Sequence, residues 1–272
     1  MKLTETAYAK INLALHVRRR REDGYHELET LFAFVDAGDV LSAAPAEADS
    51  VTILGEFAGG LDNPFDNLVS KALAFLPRPH GMAITLEKNL PVAAGLGGGS
   101  ADAGAVFRIV EALHGLPDDW QERAAKLGAD VPSCVRSEMA IGRGTGTELE
   151  PVENDMAGMP VLLVNPRVPL ATGPVFKAWH GRDGGPLEGR TAREITDCNR
   201  NDLEEVVIET MANEAVLAVH NALTDTKPLV ARMSGSGATC FALYDSEAER
   251  DNAAERIAAE HSGWWKLAGK LR

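Results

Sequence analysis

At 272 residues, with 45% hydrophobic and 25% charged side chains, the chain can build two modest domains around packed cores, and wholesale disorder is excluded. A formal net charge of -13 argues against a general binder of nucleic acid or of a membrane surface, yet leaves room for an anionic ligand held by backbone amides. Three scattered cysteines (Cys134, Cys198, Cys240), no HExxH-type spacing among the histidines and no apolar run near the ~20 residues of a bilayer span point to a cytoplasmic protein.

In chain order, "ETAYAKINLALHV" reads as a strand, with Glu5 and Lys10 breaking up any secretory leader. "REDGYHELETLFAFV" follows a Glu-Asp-Gly turn signal and completes a hairpin, with Arg18 to Arg21 as its solvated tip. "VTILGEF" is a further strand, and Leu68 to Leu76 is a helix closed by Pro77 and Pro79. "GMAITLEKNLPV" is a strand running into a glycine cluster. Beyond that cluster Ala103, Val106, Phe107, Val110 and Leu113 recur at helical spacing, and Gly115 and Pro117 mark the helix end. Trp120 to Leu127 reads as another helix, and "MPVLLVNP" as a buried strand. A loop is expected over Gly173 to Gly189, then helices over Asp202 to Val207 and Met211 to Leu223. Strands "LVARMSG" and "ATCFALY", a helix over Ser246 to Ala259 and the short segment "WWKLAGK" close the chain. The change of texture near residues 150–160 suggests two α+β domains, 1–155 and 156–272.

The cluster "LPVAAGLGGGSADAG" packs four glycines into five residues and ends them with Ser100. A flexible linker would be flanked by polar, unpatterned residues, whereas this run joins a strand to an amphipathic helix. A Walker A loop needs a lysine that is missing, and the dinucleotide fingerprint is met only in part. Two readings stay open: a tight turn packing strand on helix, or an anion cradle. In the second, glycines let successive N–H groups line a concavity, and the helix beginning near Ser100 adds its positive end. Ser100 suits an N-cap and could offer its hydroxyl to a phosphate or to Mg²⁺.

"PVAAGLGGGSADA" resembles the phosphate-loop motif PxxxGLxSSxA of the GHMP kinases. "AKINLALHV", "DGYHELETLFAFVDAGD", "LGADVP" and "MSGSGATCF" resemble, in the expected order, the other motifs of one branch. That branch phosphorylates a cytidine diphosphate-linked sugar alcohol in non-mevalonate isoprenoid synthesis. The resemblance implies an α+β fold of two domains, the first like domain 2 of ribosomal protein S5 and the second ferredoxin-like, with the active site in the cleft between them. It implies ATP as phosphoryl donor, Mg²⁺ to screen the phosphates and a small-molecule acceptor, while the acidic balance argues for no partner among nucleic acids or membranes.

By the same resemblance Asp130 accepts the hydroxyl proton and Lys10 pairs with it. Read without the family, Asp130 is a helix cap before Pro132 and Lys10 an outward strand lysine. Pro91, Val92, Ala93, Ala94, Gly95, Leu96, Gly97, Gly98, Gly99, Ser100 and Ala101 hold the triphosphate, with Leu68 and Lys88 flanking the adenine. The plain alternatives for those last two are a helix-core leucine and a surface lysine. Tyr25 stacks on the cytosine and His26 bonds its polar edge; a strand-edge pair is the simpler reading. Asn12, Thr172, Gly235 and Ser236 lie near the substrate, though Thr172 also suits an N-cap and "SGSGAT" a hairpin turn. Ser133 and Cys134 stand where bulkier apolar residues are expected, which alters packing beside Asp130. A related kinase for homoserine or mevalonate-type alcohols, or a catalytically silent nucleotide binder on the same scaffold, are the rival readings.

Overall fold

The computed structural model describes residues 3–60 and 67–272. By contact density the chain forms two compact units. One comprises Met1–Lys10, Ala37–Val92 and Gly97–Glu138; the other comprises Ile11–Asp36, Ala93–Leu96 and Met139–Arg272. The division therefore differs from a single cut near residue 155, because two long strands, β1 (Leu3–Arg20) and β2 (His26–Ala46), each pass from one unit to the other.

In the first unit, the end of β2 pairs antiparallel with β4 (Gly81–Glu87), and β3 (Ser50–Leu54) runs parallel to β4. Helix α1 (Leu68–Phe75) starts where the Asn67 side chain accepts from the Val69 N–H at 2.8 Å. Helix α2 (Gly98–His114) carries the expected apolar face, but residues 101–107 are buried without interruption. Small side chains make this possible: Ala101, Ala103, Gly104 and Ala105 let neighbouring backbone approach closely. A Cβ on Gly104 would stand 2.5 Å from the Cys134 carbonyl oxygen of α4 (Val131–Arg136). Helix α3 (Trp120–Leu127) precedes α4, as expected from its sequence.

In the second unit, Leu28–Phe32 of β2 pairs with β5 (Ala140–Gly144), which pairs with β6 (Glu148–Pro151). This hairpin was absent from the sequence expectations, since "AIGRGTGTELEP" lacks the branched, alternating texture of a strand pair. It forms because Gly142 leaves room for the Phe32 ring and Gly146, at φ 99°, makes the turn. Strand β7 (Pro160–Asn165) is buried at all six positions.

Four further helices follow: α5 (Thr172–Ala178), α6 (Ala192–Cys198), α7 (Asp202–Glu205) and α8 (Glu214–Thr224). Helix α5 occupies the start of the expected loop, so that expectation is corrected; Val175 anchors it by burial despite Gly173 and Pro174. Helix α6 was also unforeseen, although Thr191 caps it by accepting from the Glu194 N–H at 3.3 Å. A π-helical turn, Val206–Thr210, continues α7, and α8 starts three residues later than expected, after Ala212 at φ 48°.

Strands β8 (Val230–Met233), β9 (Cys240–Leu243) and β10 (Trp265–Lys270) join β7 in an antiparallel sheet ordered β10-β7-β9-β8. Helix α9 (Glu247–Glu260) is capped by a Ser246–Glu249 capping sequence. Together β7, α8, β8, β9, α9 and β10 give the βαββαβ order of a ferredoxin-like unit. "WWKLAGK" is thus the fourth sheet strand. Its core gathers Leu162, Val164, Trp179, Leu203, Val216 and Ile257. Among the described residues no helix is long and apolar enough to cross a membrane.

Candidate active site

The glycine cluster is built from backbone conformations that explain its composition. Ala93, Gly95 and Gly97 take positive φ of 53°, 75° and 60° at alternate positions, a zigzag that turns N–H groups toward one side. Helix α2 opens earlier than expected: Gly97 is its N-cap and Ser100 its third residue. The N-cap role expected of Ser100 is therefore corrected, because a left-handed cap favours glycine. Gly97 has no side chain to cap with, and the first helical bond runs from the Ala101 N–H to the Gly97 carbonyl at 2.8 Å. The N–H groups of Gly98, Gly99 and Ser100 accordingly have no acceptor within the helix and stand at its positive end.

In the first unit, Lys10 of β1 and Asp130 meet at 3.1 Å between Nζ and Oδ2. Lys10 is not the outward strand lysine of the plain reading: its side chain is 5% exposed, while Asp130 keeps 34%. Asp130 does occupy the N-cap position of α4 but makes no capping hydrogen bond with its side chain. Its carboxylate is committed to a buried cation on one side and open on the other, the geometry of a group that meets a solute. The pair lies against the loop: a Cβ on Gly97 would be 3.0 Å from the Lys10 Cε and 3.8 Å from the Asp130 Oδ2. Ser133 and Cys134 are buried beside it, Ser133 Oγ donating to the Asp130 carbonyl at 2.8 Å. Burial, reinforced by the Asp130 charge, pushes the Cys134 thiol up to about 12, so it stays an inert thiol.

Leu68 is half-buried at the start of α1, within 3.5 Å of where a Gly99 Cβ would stand. Lys88 departs from both sequence readings. It is buried, its ammonium donating to Asp39 Oδ2 and, at 2.8 Å, to Asp102 Oδ2. It sits beneath the loop, where a Cβ on Gly98 would be 3.1 Å from Nζ. Asp39 and Asp102 were not singled out from sequence; Asp39 does end the motif "DGYHELETLFAFVDAGD", and Asp102 follows Ser100 in the glycine motif.

Burial, with the Asp39 charge beside it, raises Asp102 to about 7 against the opposing pull of Lys88. The same two carboxylates hold Lys88 above its ordinary value despite burial. A folded Asp102 raised from 3.8 binds more protons than the unfolded chain between that value and about 7. Its stability contribution therefore falls as pH rises through this window and is flat above it. Asp102→Asn is expected to raise Tm by about 2–6 °C at about pH 8 and by less at about pH 5. Differential scanning calorimetry at both values checks this; a lower Tm for the variant at the higher pH would contradict it.

In the second unit, Asn12 Nδ2 donates to Thr30 Oγ1 at 2.7 Å, and the Asn12 N–H donates to Ser234 Oγ at 3.3 Å. A Cβ on Gly235 would be 3.1 Å from Asn12 Oδ1, so only a residue this small lets the amide oxygen approach. Ser234 Oγ donates to the Gly95 carbonyl at 2.8 Å, and the Thr239 N–H donates to the Ala94 carbonyl at 3.1 Å. "SGSGAT" is therefore more than a hairpin turn. It is interlaced with residues 94 and 95, and Asn201 Nδ2 braces it from the Met233 and Gly235 carbonyls at 2.8 Å each. Thr172 and Ser236 join through their hydroxyls at 3.0 Å. Thr172 is the first residue of α5, with Ala171 as N-cap, so its capping role is corrected.

Tyr25 is 64% exposed, whereas His26 is half-buried with its ring centroid 5.0 Å from Phe176 and 5.7 Å from Trp179. Burial, and then the Arg20 charge, lowers the His26 pKa, which keeps the imidazole neutral near pH 7. Its Nε2 is buried and has no hydrogen-bond partner among the described residues. Phe176 and Trp179 lie in the Gly173 to Gly189 stretch whose glycines and prolines predict a loop, so nothing in the sequence marks them. The arginine tip is not simply solvated either. Arg18 binds Glu29 at 2.5 Å and Asp183 at 2.7 Å, and Arg20 donates to the Trp179 carbonyl at 2.6 Å.

Comparisons with known proteins place the chain in a family. The GHMP kinases N terminal domain family matches residues 67–138, and the GHMP kinases C terminal family matches residues 189–263. The 4-diphosphocytidyl-2-C-methyl-D-erythritol kinase of Erythrobacter litoralis is 66% identical over 99% of this chain and 100% of its own. A crystal structure of a 4-(cytidine 5'-diphospho)-2C-methyl-D-erythritol kinase superposes with a TM-score of 0.82 at 32% identity, covering 100% of this chain and 99% of that one. Homoserine kinase from Cytophaga hutchinsonii shares the fold, with a TM-score of 0.67 at 17% identity over 99% of this chain and 95% of its own. This chain belongs to the GHMP kinase family, in its 4-diphosphocytidyl-2-C-methyl-D-erythritol kinase branch.

Proposed function

We propose that the protein transfers the γ-phosphoryl group of ATP to the 2-hydroxyl of 4-diphosphocytidyl-2-C-methyl-D-erythritol, in the methylerythritol phosphate route to isoprenoids. The observation that carries the reading is the Lys10–Asp130 pair set against Gly97 at the opening of α2. A carboxylate and a buried cation beside the uncapped start of a helix support phosphoryl transfer. In the reaction a bond forms from the alcohol oxygen to phosphorus and the β,γ-bridging P–O bond breaks. Asp130 takes the hydroxyl proton, and the products are the 2-phosphate and ADP. Lys10 orients Asp130 and balances charge developing at the alcohol oxygen. The N–H groups of Gly98, Gly99 and Ser100 hold phosphate oxygens.

Leu68 and residues 91–101 are assigned to the nucleotide, and residues 1–155 to the domain that holds it. Asn12, Tyr25, His26, Thr172, Gly235 and Ser236 are assigned to the acceptor, with residues 156–272 closing over it. Among the described residues no cluster of three or more His, Cys, Asp or Glu side chains suits a metal. Mg²⁺ would therefore enter on the nucleotide, with the Ser100 hydroxyl as a protein contact, and would screen the phosphate charge. The work is assigned to the cytoplasm.

A coupled assay of ADP release against a panel of alcohols tests the reading. Turnover is expected with the cytidine diphosphate-linked alcohol and not with homoserine or mevalonate. Preference for either of those would transfer the chain to another branch, and ATP binding without turnover on any alcohol would make it a silent binder. Tyr25→Ala is expected to raise KM for the cytidine substrate by about tenfold or more with kcat changed less, because an exposed aromatic face mainly supplies base stacking. An unchanged KM would remove the base-recognition role from Tyr25.

A further inference from the structure

Lys88 carries the one charge among the residues that the family resemblance sets around ATP, and that charge is out of reach of solvent. It is buried, as are both of its partners, and the three groups are drawn from three places in the chain. Asp39 comes from the middle of β2, Lys88 directly follows β4, and Asp102 lies in the second turn of α2. Burying three charges is costly unless each is well partnered. Here the partnering is directed at the loop. Asp39 Oδ1 accepts from the Asn89 N–H at 2.6 Å and the Leu90 N–H at 2.7 Å, fixing the backbone where the loop begins. Asp39 Oδ2 accepts from Lys88 Nζ, and Asp102 Oδ2 accepts from the same nitrogen at 2.8 Å, fixing the backbone where the loop has become helix. Between those ends, the ammonium sits where a Gly98 Cβ would come within 3.1 Å.

We propose that Asp39, Lys88 and Asp102 form a buried clasp that joins the two ends of the phosphate loop and so sets the direction of the Gly98–Ser100 N–H groups, making all three positioning residues for ATP. The clasp touches nucleotide only through the loop. An ammonium directed at adenine would need an open side, and this one is enclosed. The helix start has no side-chain cap, so its first N–H groups are aimed by backbone alone. Backbone held at Asn89, Leu90 and Asp102 is what keeps that aim before a triphosphate arrives. The excess of one carboxylate over the single lysine also explains why Asp102 is the strained member, its Oδ1 buried and unbonded among the described residues.

This inference rests on the kinase reading, and its test separates the two. Steady-state kinetics of the full chain are measured with ATP and the cytidine substrate varied in turn. Asp39→Ala removes the acceptor for both loop N–H groups and one partner of Lys88. It is expected to raise KM for ATP about tenfold or more, with KM for the alcohol within about twofold. Asp39→Asn restores an acceptor and should recover most of that loss. Asp102→Leu, which releases Lys88 from α2, is expected to raise KM for ATP about fivefold, and it serves if Asp39→Ala does not fold. An unchanged KM for ATP in the folded variants, or an equal rise in both KM values, overturns the clasp. A native chain without turnover on the cytidine substrate would instead overturn the kinase reading.

Discussion

Asp130→Ala is expected to lower kcat by about 10³-fold while KM for ATP stays within about threefold. The nucleotide contacts assigned to the loop are backbone N–H groups, which the substitution leaves in place. What disappears is the one carboxylate that is both held by Lys10 at 3.1 Å and partly open to a solute. Removing it also leaves the Lys10 ammonium buried without that partner, so some loss of stability accompanies the loss of rate. Asp130→Asn separates the two effects. The amide oxygen can still accept from Lys10 and nearly fills the volume, yet it cannot take up the hydroxyl proton. A kcat for Asp130→Asn above about one tenth of native would mean that Asp130 positions the acceptor rather than deprotonating it. Pre-steady-state mixing, which isolates the chemical step from ADP release, gives the cleaner reading.

How far these features were legible in the sequence depended on how local their causes are. Helices α1 and α9 are legible nearly to the residue, Asn67 and Ser246 capping them from the position just before each, and α3 is equally legible although Asp119 gives it no side-chain cap. The N-cap of α2 lies three residues before Ser100, where serine, the commoner cap, would put it. The deciding fact was a left-handed turn at Gly97, which composition alone does not announce. Lys10 and Asp130 lie far apart in sequence, and only motif order joined them. Nothing in the lysine's surroundings says that β1 buries it. Lys88 shows the converse failure. Its place before the loop was legible, but its burial depends on Asp39 and Asp102, neither of which has a pattern of its own. Phe176 and Trp179 were hidden by Gly173, Pro174 and the glycines after them, which advertise loop although Val175 and Trp179 are buried.

Gly104→Ala tests whether the catalytic pair depends on how closely α2 and α4 approach. Helix propensity alone favours the substitution by about 1 kcal/mol. Packing opposes it more strongly, since the new methyl would stand 2.5 Å from the Cys134 carbonyl oxygen and 2.6 Å from its carbon. Both are backbone atoms of α4 and have no rotamer to escape into. Arg108 further fixes that end of α4 by donating to the Cys134 carbonyl at 2.6 Å and to Ser137 Oγ at 3.0 Å. The helices must then part by about 1 Å, for a net loss of about 2–4 kcal/mol. Asp130 stands at the opening of the displaced helix, its carbonyl accepting from the Cys134 N–H at 3.1 Å, so the shift carries its carboxylate away from Lys10. Misplacement on that scale is expected to lower kcat by about 10- to 100-fold in the molecules that remain folded. Gly263→Ala, where no atom lies within 4 Å of the added carbon, provides the control and should leave both quantities near native. Urea denaturation followed by kcat on the folded fraction measures the two effects together. A Gly104→Ala protein at least as stable as native would mean that helix propensity outweighs the contact, and that the separation of α2 from α4 does not set the Lys10–Asp130 geometry.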